Sequence, residues 1–82
     1  MDAARGPLVL YVREGCHLCE QFLIELTIEL DGETGDLSIL DVDNDSELAV
    51  RYGLRVPVLE CAGQVAGEGR FDRDRFRELY PL

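Results

Sequence analysis

A four-stranded mixed β-sheet with helices on both faces, in the order β-α-β-α-β-β-α, is the α/β architecture that this sequence predicts. Three observations point to it. The chain has 82 residues, which leaves room for one thin core and no second domain. Residues 1–82 are therefore expected to form one domain, with 1–6 as a flexible N-terminus. The balance of 46% hydrophobic and 30% charged residues is that of a globular chain rather than a disordered one. Finally, the hydrophobic period alternates between strand-like and helical.

The elements follow in order. Leu8 to Val12 is a continuous apolar run of strand length, as expected of a strand buried on both faces. From His17 the period changes: Cys19, Phe22, Leu23, Leu26 and Leu30 recur at three- and four-residue steps, and Glu20, Glu25 and Glu29 occupy the remaining surface. This predicts an amphipathic helix that Asp31-Gly32 ends. Leu37 to Val42 reads as a second strand. Asn44 with Glu47 reads as a capping box for a helix over Ser46 to Tyr52, and Gly53 as its left-handed cap. Val56 to Cys61 and Gln64 to Ala66, joined by Ala62-Gly63, predict a hairpin. Asp72 can cap a last helix carrying Phe76, Leu79 and Tyr80, with Pro81 ending it. Two right-handed crossovers would make the first strands parallel, and the hairpin adds an antiparallel pair.

Charge narrows the partners. Eight basic residues, all arginine, stand against seventeen acidic ones, for a net charge of −9. Such a surface repels phosphates and anionic head groups, so no nucleic acid and no membrane is expected as a partner, and the protein is expected to be a monomer. No apolar run approaches the ~20 residues of a membrane span, and Met1 to Gly6 has no apolar h-region. A cytoplasmic location is expected. Three cysteines, Cys16, Cys19 and Cys61, are too few and too odd in number for a secreted disulfide framework. They point to thiol chemistry or metal binding.

Cys16-His17-Leu18-Cys19 stands where the first strand hands over to the first helix. Cysteines three apart on a helical turn share a face and can form a disulfide. Cys16 meets the unpaired amides and positive end of the helix, which stabilise a thiolate. Cys19, one turn inside, faces the core. Cys16 then reads as the nucleophile and Cys19 as the resolving thiol. Arg13, His17 and Arg55 would favour the thiolate, while Glu14 and Glu20 would oppose it. The alternatives are a metal or iron–sulfur cluster-binding module and a non-catalytic interaction domain. Zinc wants about four ligands; only His17 and Cys61 could add to the pair, and adjacent helical residues point about 100° apart. No metal site is therefore assigned. Asp41 to Ser46 resembles the start of a calcium loop, but Ser46 and Tyr52 occupy the places of its glycine and glutamate. Cys61 reads as a small buried apolar residue, and the mixed-sign run Arg70 to Arg77 as a solvated helix face with Arg70 near the loop.

Leu10-Tyr11-Val12-Arg13-Glu14-Gly15-Cys16-His17-Leu18-Cys19 resembles the start of glutaredoxins, and Tyr52-Gly53-Leu54-Arg55-Val56-Pro57-Val58-Leu59 resembles the thioredoxin stretch that ends in a cis-proline loop. Together they resemble the small bacterial glutaredoxin-like members of the thioredoxin-like superfamily, over residues 8 to about 80. The resemblance implies a thiol–disulfide oxidoreductase of thioredoxin-like fold, with Cys16 as nucleophile, Cys19 as resolving thiol and Pro57 as cis-proline. Its substrates would be protein, peptide or glutathione mixed disulfides, contacted by Arg13, His17, Arg55, Val56 and Pro57. No cofactor is expected to be tightly bound; glutathione would be a co-substrate, and a reductase a further partner. The chain departs from the pattern at Leu10, where thioredoxins carry a buried aspartate, and at Gly15, where they carry tryptophan. It departs again at His17-Leu18 and at Gly67-Glu68-Gly69-Arg70, where glutaredoxins carry Pro-Tyr and a Gly-Gly-x-Asp-like turn that binds glutathione.

Overall fold

The computed structural model describes residues 7–80; the expectations for residues 1–6 and for Pro81 lie outside them. The chain runs through β1 (Leu8–Val12), α1 (His17–Glu29), β2 (Leu37–Asp41), a 3-10 turn (Val42–Asn44), α2 (Ser46–Tyr52), β3 (Val58–Cys61), β4 (Gln64–Glu68) and α3 (Arg73–Leu79). The strands form one mixed sheet in the order β2-β1-β3-β4.

β1 pairs with β2 in parallel, Leu8 opposite Leu37 and Val12 opposite Asp41. β3 instead runs antiparallel to β1, with Tyr11 opposite Val58. This corrects the expectation of two parallel crossovers. A second one would have to carry the chain back along the whole sheet. The seven residues of α2 rise only about 10 Å, and β3 begins at the end of the sheet where β2 stops. The hairpin from β3 to β4 turns at Ala62 and Gly63, both with positive φ (50° and 87°), the conformation that a tight two-residue hairpin needs. The register shifts between Leu59 and Glu60, so that Leu59 faces Gly67 and Glu60 faces Val65.

Alternation along the strands sends side chains to opposite faces. Leu8, Leu10, Leu59 and Cys61 meet Phe22, Leu26 and Leu30 of the α1 side and Phe76 and Tyr80 of the α3 side. On the other face, Tyr11, Val42, Tyr52 and Val58 form a smaller cluster under α2. α1 ends as expected: Asp31 and Gly32 take positive φ (56° and 79°), and their amides return to the Ile28 and Thr27 carbonyls. Three local readings are corrected. Asp45, not Asn44, caps α2 through its carboxylate to the Glu47 and Leu48 amides, because Asn44 belongs to the preceding 3-10 turn. Gly53 lies in the right-handed region, φ −55°. Its lack of a side chain instead permits a close approach, since a Cβ there would fall on the Ala49 carbonyl and 3.0 Å from the Arg13 guanidinium. Finally, α1 is not cleanly amphipathic: Ile24 and Ile28 are 60% and 73% exposed, on the face the glutamates were expected to own.

Candidate functional site

The site is built by the four residues that follow β1. Gly15 takes φ +76°, and the Cys16 amide donates back to the Arg13 carbonyl at 3.2 Å. This tight turn delivers Cys16 in an extended conformation to the N-cap of α1. Its sulfur accepts the Cys19 amide at 3.1 Å, the place usually taken by the oxygen of a serine or aspartate cap. Cys16 is half-buried and Cys19 is 4% exposed. The two are joined in a disulfide, their Cα atoms 5.2 Å apart.

The sheet gathers the other expected contacts at the same end. Val12 stands opposite Asp41 and Tyr11 opposite Val58, so the segments leaving β1 and β2 and the one entering β3 all lie there. The Val56–Pro57 peptide is cis; Val56 is half-buried and Pro57 buried, and the Pro57 carbonyl accepts the Gly69 amide at 2.9 Å. Arg13 grips the Asp43 carboxylate through Nε (3.1 Å) and Nη2 (3.0 Å) and donates Nη1 to the Gly53 carbonyl at 2.9 Å. Arg55 holds Glu68 in the same two-pronged manner, Nε at 3.1 Å and Nη2 at 2.7 Å, with its guanidinium 5.2 Å from the Tyr52 ring centroid. The Arg55 hydrogen bond holds the Glu68 carboxyl below its ordinary range, and the same bond raises Arg55. His17 is exposed and turned toward Glu20, Nδ1 to Oε1 3.9 Å. Both arginines expected to serve the thiolate or a substrate are thus committed to carboxylates.

Cys61 lies apart from this end. It is buried among core residues with its sulfur 3.1 Å from the Leu79 carbonyl, and burial pushes its thiol up. The donors that a zinc site would have needed, His17 and Cys61, therefore lie in different surroundings. Among the described residues no group of three or more His, Cys, Asp and Glu side chains converges, and no helix is long and apolar enough to cross a membrane. Sequence reasoning missed one polar cluster. Glu60 accepts hydrogen bonds from Tyr11 Oη (3.0 Å) and from Tyr52 Oη, and the two rings lie 4.6 Å apart. Burial, followed by the bond to Glu60, pushes Tyr11 up to about 12. Tyr52 is raised chiefly by its bond to Glu60. The usable signal was a glutamate between Leu59 and Cys61 in a buried strand, where a charge needs partners.

The family of the glutaredoxin-like domain (DUF836) matches residues 7–79. The chain belongs to this family. Solved structures agree with that placement. A crystal structure of a structural-genomics target from X. campestris is 36% identical, with a TM-score of 0.66 over 87% of this chain and 91% of that one. A solution structure of protein Ne2328 from Nitrosomonas europaea is 29% identical, with a TM-score of 0.80 over 93% and 92%. The holo form of glutaredoxin C1 from poplar (Populus tremula x tremuloides) is 18% identical, with a TM-score of 0.51 over 94% and 76%, a likeness of fold alone. No curated protein matches the chain. The glutaredoxin-like domain thus has a thioredoxin-like fold, and its Cys16–Cys19 pair fits a thiol redox role.

Proposed function

We propose that this glutaredoxin-like domain is a thiol–disulfide oxidoreductase in which Cys16 exchanges with a substrate disulfide and Cys19 resolves the product. The observation that carries the reading is the unequal placement of two bonded cysteines. Cys16 is half-buried at a helix start, with its sulfur receiving a backbone amide; Cys19 lies beneath it, 4% exposed.

In the reduced protein, the amide and the positive helix end favour the Cys16 anion. That thiolate attacks one substrate sulfur. The substrate S–S bond breaks, the departing sulfur leaves as a thiolate and takes up a proton, and Cys16 is left in a mixed disulfide. Cys19 then loses its proton and attacks Cys16 Sγ, and the second substrate sulfur leaves and is protonated. Two electrons have passed to the substrate, and the protein holds the Cys16–Cys19 bond. The reverse sequence oxidises a substrate dithiol. Val56 and Pro57, at the same end of the sheet, are where an extended substrate segment would lie and hydrogen-bond through its main chain. His17, exposed on the first turn, flanks its path.

The test is a disulfide reductase assay driven by dithiothreitol, with Cys16→Ser and Cys19→Ser beside the parent. Cys16→Ser is expected to abolish turnover, and Cys19→Ser to accumulate a mixed disulfide visible by mass. Full turnover in both variants refutes the assignment.

A further inference from the structure

The charges around Cys16 say which disulfide this site prefers, granted the exchange chemistry proposed above. An anionic substrate such as glutathione disulfide carries four carboxylates against two ammonium groups and needs cations free to receive it. The two arginines best placed by sequence are not free. Arg13 is held by Asp43 and the Gly53 carbonyl, and Arg55 by Glu68. Each pair cancels its own charge. The carboxylates left flanking the nucleophile are Glu14, just before it, and Glu20, in the first turn of α1; both are exposed. Two groups offset them in part: His17, whose Nδ1 lies 3.9 Å from Glu20 Oε1, and Arg70, which shares a shallow depression with Leu18, Gln21 and Glu25. Beyond these, the whole chain carries −9, and a field of that sign repels anions over about a Debye length.

Apolar surface completes the picture. Leu54, between the Gly53 that receives Arg13 and the Arg55 that holds Glu68, is fully exposed. Leu18, between the two cysteines, is 42% exposed. Leu54 is left uncovered by the described residues and Leu18 is only partly covered, and both belong to the end of the sheet where a substrate segment would lie.

We infer that the substrate of Cys16 is a disulfide borne on an extended peptide segment with basic and apolar residues beside its cysteine, and that glutathione disulfide is disfavoured. The selectivity is electrostatic. Substrate lysines or arginines meet Glu14 and Glu20, the apolar residue meets Leu18 and Leu54, and an anionic flank finds Arg13 and Arg55 already occupied. The exchange is the one written above, with two electrons passing from the Cys16–Cys19 dithiol to the substrate and a proton going to each released sulfur.

The experiment is a single turnover. The protein is reduced with dithiothreitol, desalted, and mixed with disulfide-linked peptides that differ only in lysine, glutamine or glutamate flanks, and with glutathione disulfide. Each rate constant is divided by that of the same disulfide with free dithiothreitol, which removes its intrinsic reactivity. At low ionic strength the lysine peptide is expected to react about tenfold faster than the glutamate peptide, with glutathione disulfide grouped with the latter. Near 1 M salt, where the Debye length is about 3 Å, the gap should shrink to within about threefold. Glu14→Gln combined with Glu20→Gln should narrow the gap from the lysine side. Asp43→Asn, which releases Arg13, should raise the glutathione disulfide rate relative to that of the glutamine peptide on the same variant, a ratio that loosening of the Cys16 turn leaves unchanged. Equal or faster reaction of glutathione disulfide or of the glutamate peptide at low salt overturns the inference, as does a lysine preference that salt leaves unchanged. If none of the four disulfides reacts while the reduced Cys16 and Cys19 thiols can be titrated, the exchange chemistry itself has failed.

Discussion

Replacing Glu60 by glutamine should loosen the face of the sheet under α2 in a way that two independent measurements can separate. In the parent, the Glu60 carboxylate receives both the Tyr11 and Tyr52 hydroxyls, and these side chains are 9% and 4% exposed. A hydrogen bond to a charged group contributes about 1.5–3 kcal/mol and one between neutral groups about 1 kcal/mol. Removing the charge from two such bonds should therefore cost about 2 kcal/mol, a large share of the roughly 5–15 kcal/mol that holds a small domain together. The tyrosines also set a pH window. Tyr11 stands at about 12 in the folded protein and near 10 when unfolded. Over that interval the folded state keeps a proton that the unfolded state has lost. This contribution is fully present below about pH 10 and disappears as pH rises toward 12, amounting to about 3 kcal/mol at most. Because burial leads for Tyr11 and the Glu60 bond leads for Tyr52, Glu60→Gln should lower Tyr52 more than Tyr11 and flatten the alkaline loss of stability. Urea unfolding near neutral pH and at stepped alkaline pH, with tyrosinate absorbance followed in parallel, reads both effects. A variant with parental stability and an unchanged tyrosinate titration refutes the reasoning.

Two further substitutions test the packing that positions the site. Gly53→Ala places a methyl group against the Ala49 carbonyl and the Arg13 guanidinium; thermal melting should show a loss of about 1–3 kcal/mol from overpacking, and a parental melting temperature would contradict the close approach. Phe22→Ala empties a position that is 1% exposed, edge-on to Phe71 at 5.4 Å between centroids, and should cost about 3–5 kcal/mol by urea unfolding; a cost below about 1 kcal/mol would mean that α1 does not rest on this ring.

What could be read from the sequence were the features written in neighbouring residues. The helix starting at His17, its stop at Asp31-Gly32, the Asp72 cap and the Ala62-Gly63 hairpin each depend on a few adjacent positions, and each is found where local chemistry puts it. The errors share a different cause. Whether β3 runs with or against β1 depends on which end of the sheet the chain has reached after α2, and no local period records that. Gly53 does end α2, but not with the left-handed cap that glycine usually supplies; what uses its missing side chain is Arg13, forty residues earlier. Ile24 and Ile28 fit a helical period as well as Phe22 and Leu26 do, and only the packed sheet decides which side of α1 is covered. At the site, the order Cys16, then Cys19 one turn inside, was legible because one helical turn fixes it. The partners of Arg13 and Arg55 were not, since Asp43 and Glu68 reach them only through the register of β1 with β2 and of β3 with β4.

Those two ion pairs tie the stability of this end of the fold to its chemistry. The segment that carries Cys16 leaves β1 at Arg13, and the segment that carries Val56 and Pro57 enters β3 just after Arg55. Asp43 follows β2, and Glu68 closes β4 opposite Val58. Each arginine therefore pins one strand end to the next, across positions that strand pairing alone leaves open. Exposed ion pairs are worth little in isolation, but the two-pronged geometry and the added Gly53 carbonyl make Arg13 a positional constraint on the turn that presents Cys16. The same contacts remove two positive charges from the rim of a site in a strongly acidic chain. A protein that freed Arg13 to bind an anionic substrate would have to hold this turn by other means, so on the proposed reading the preference for basic peptide disulfides is a consequence of how the turn is secured.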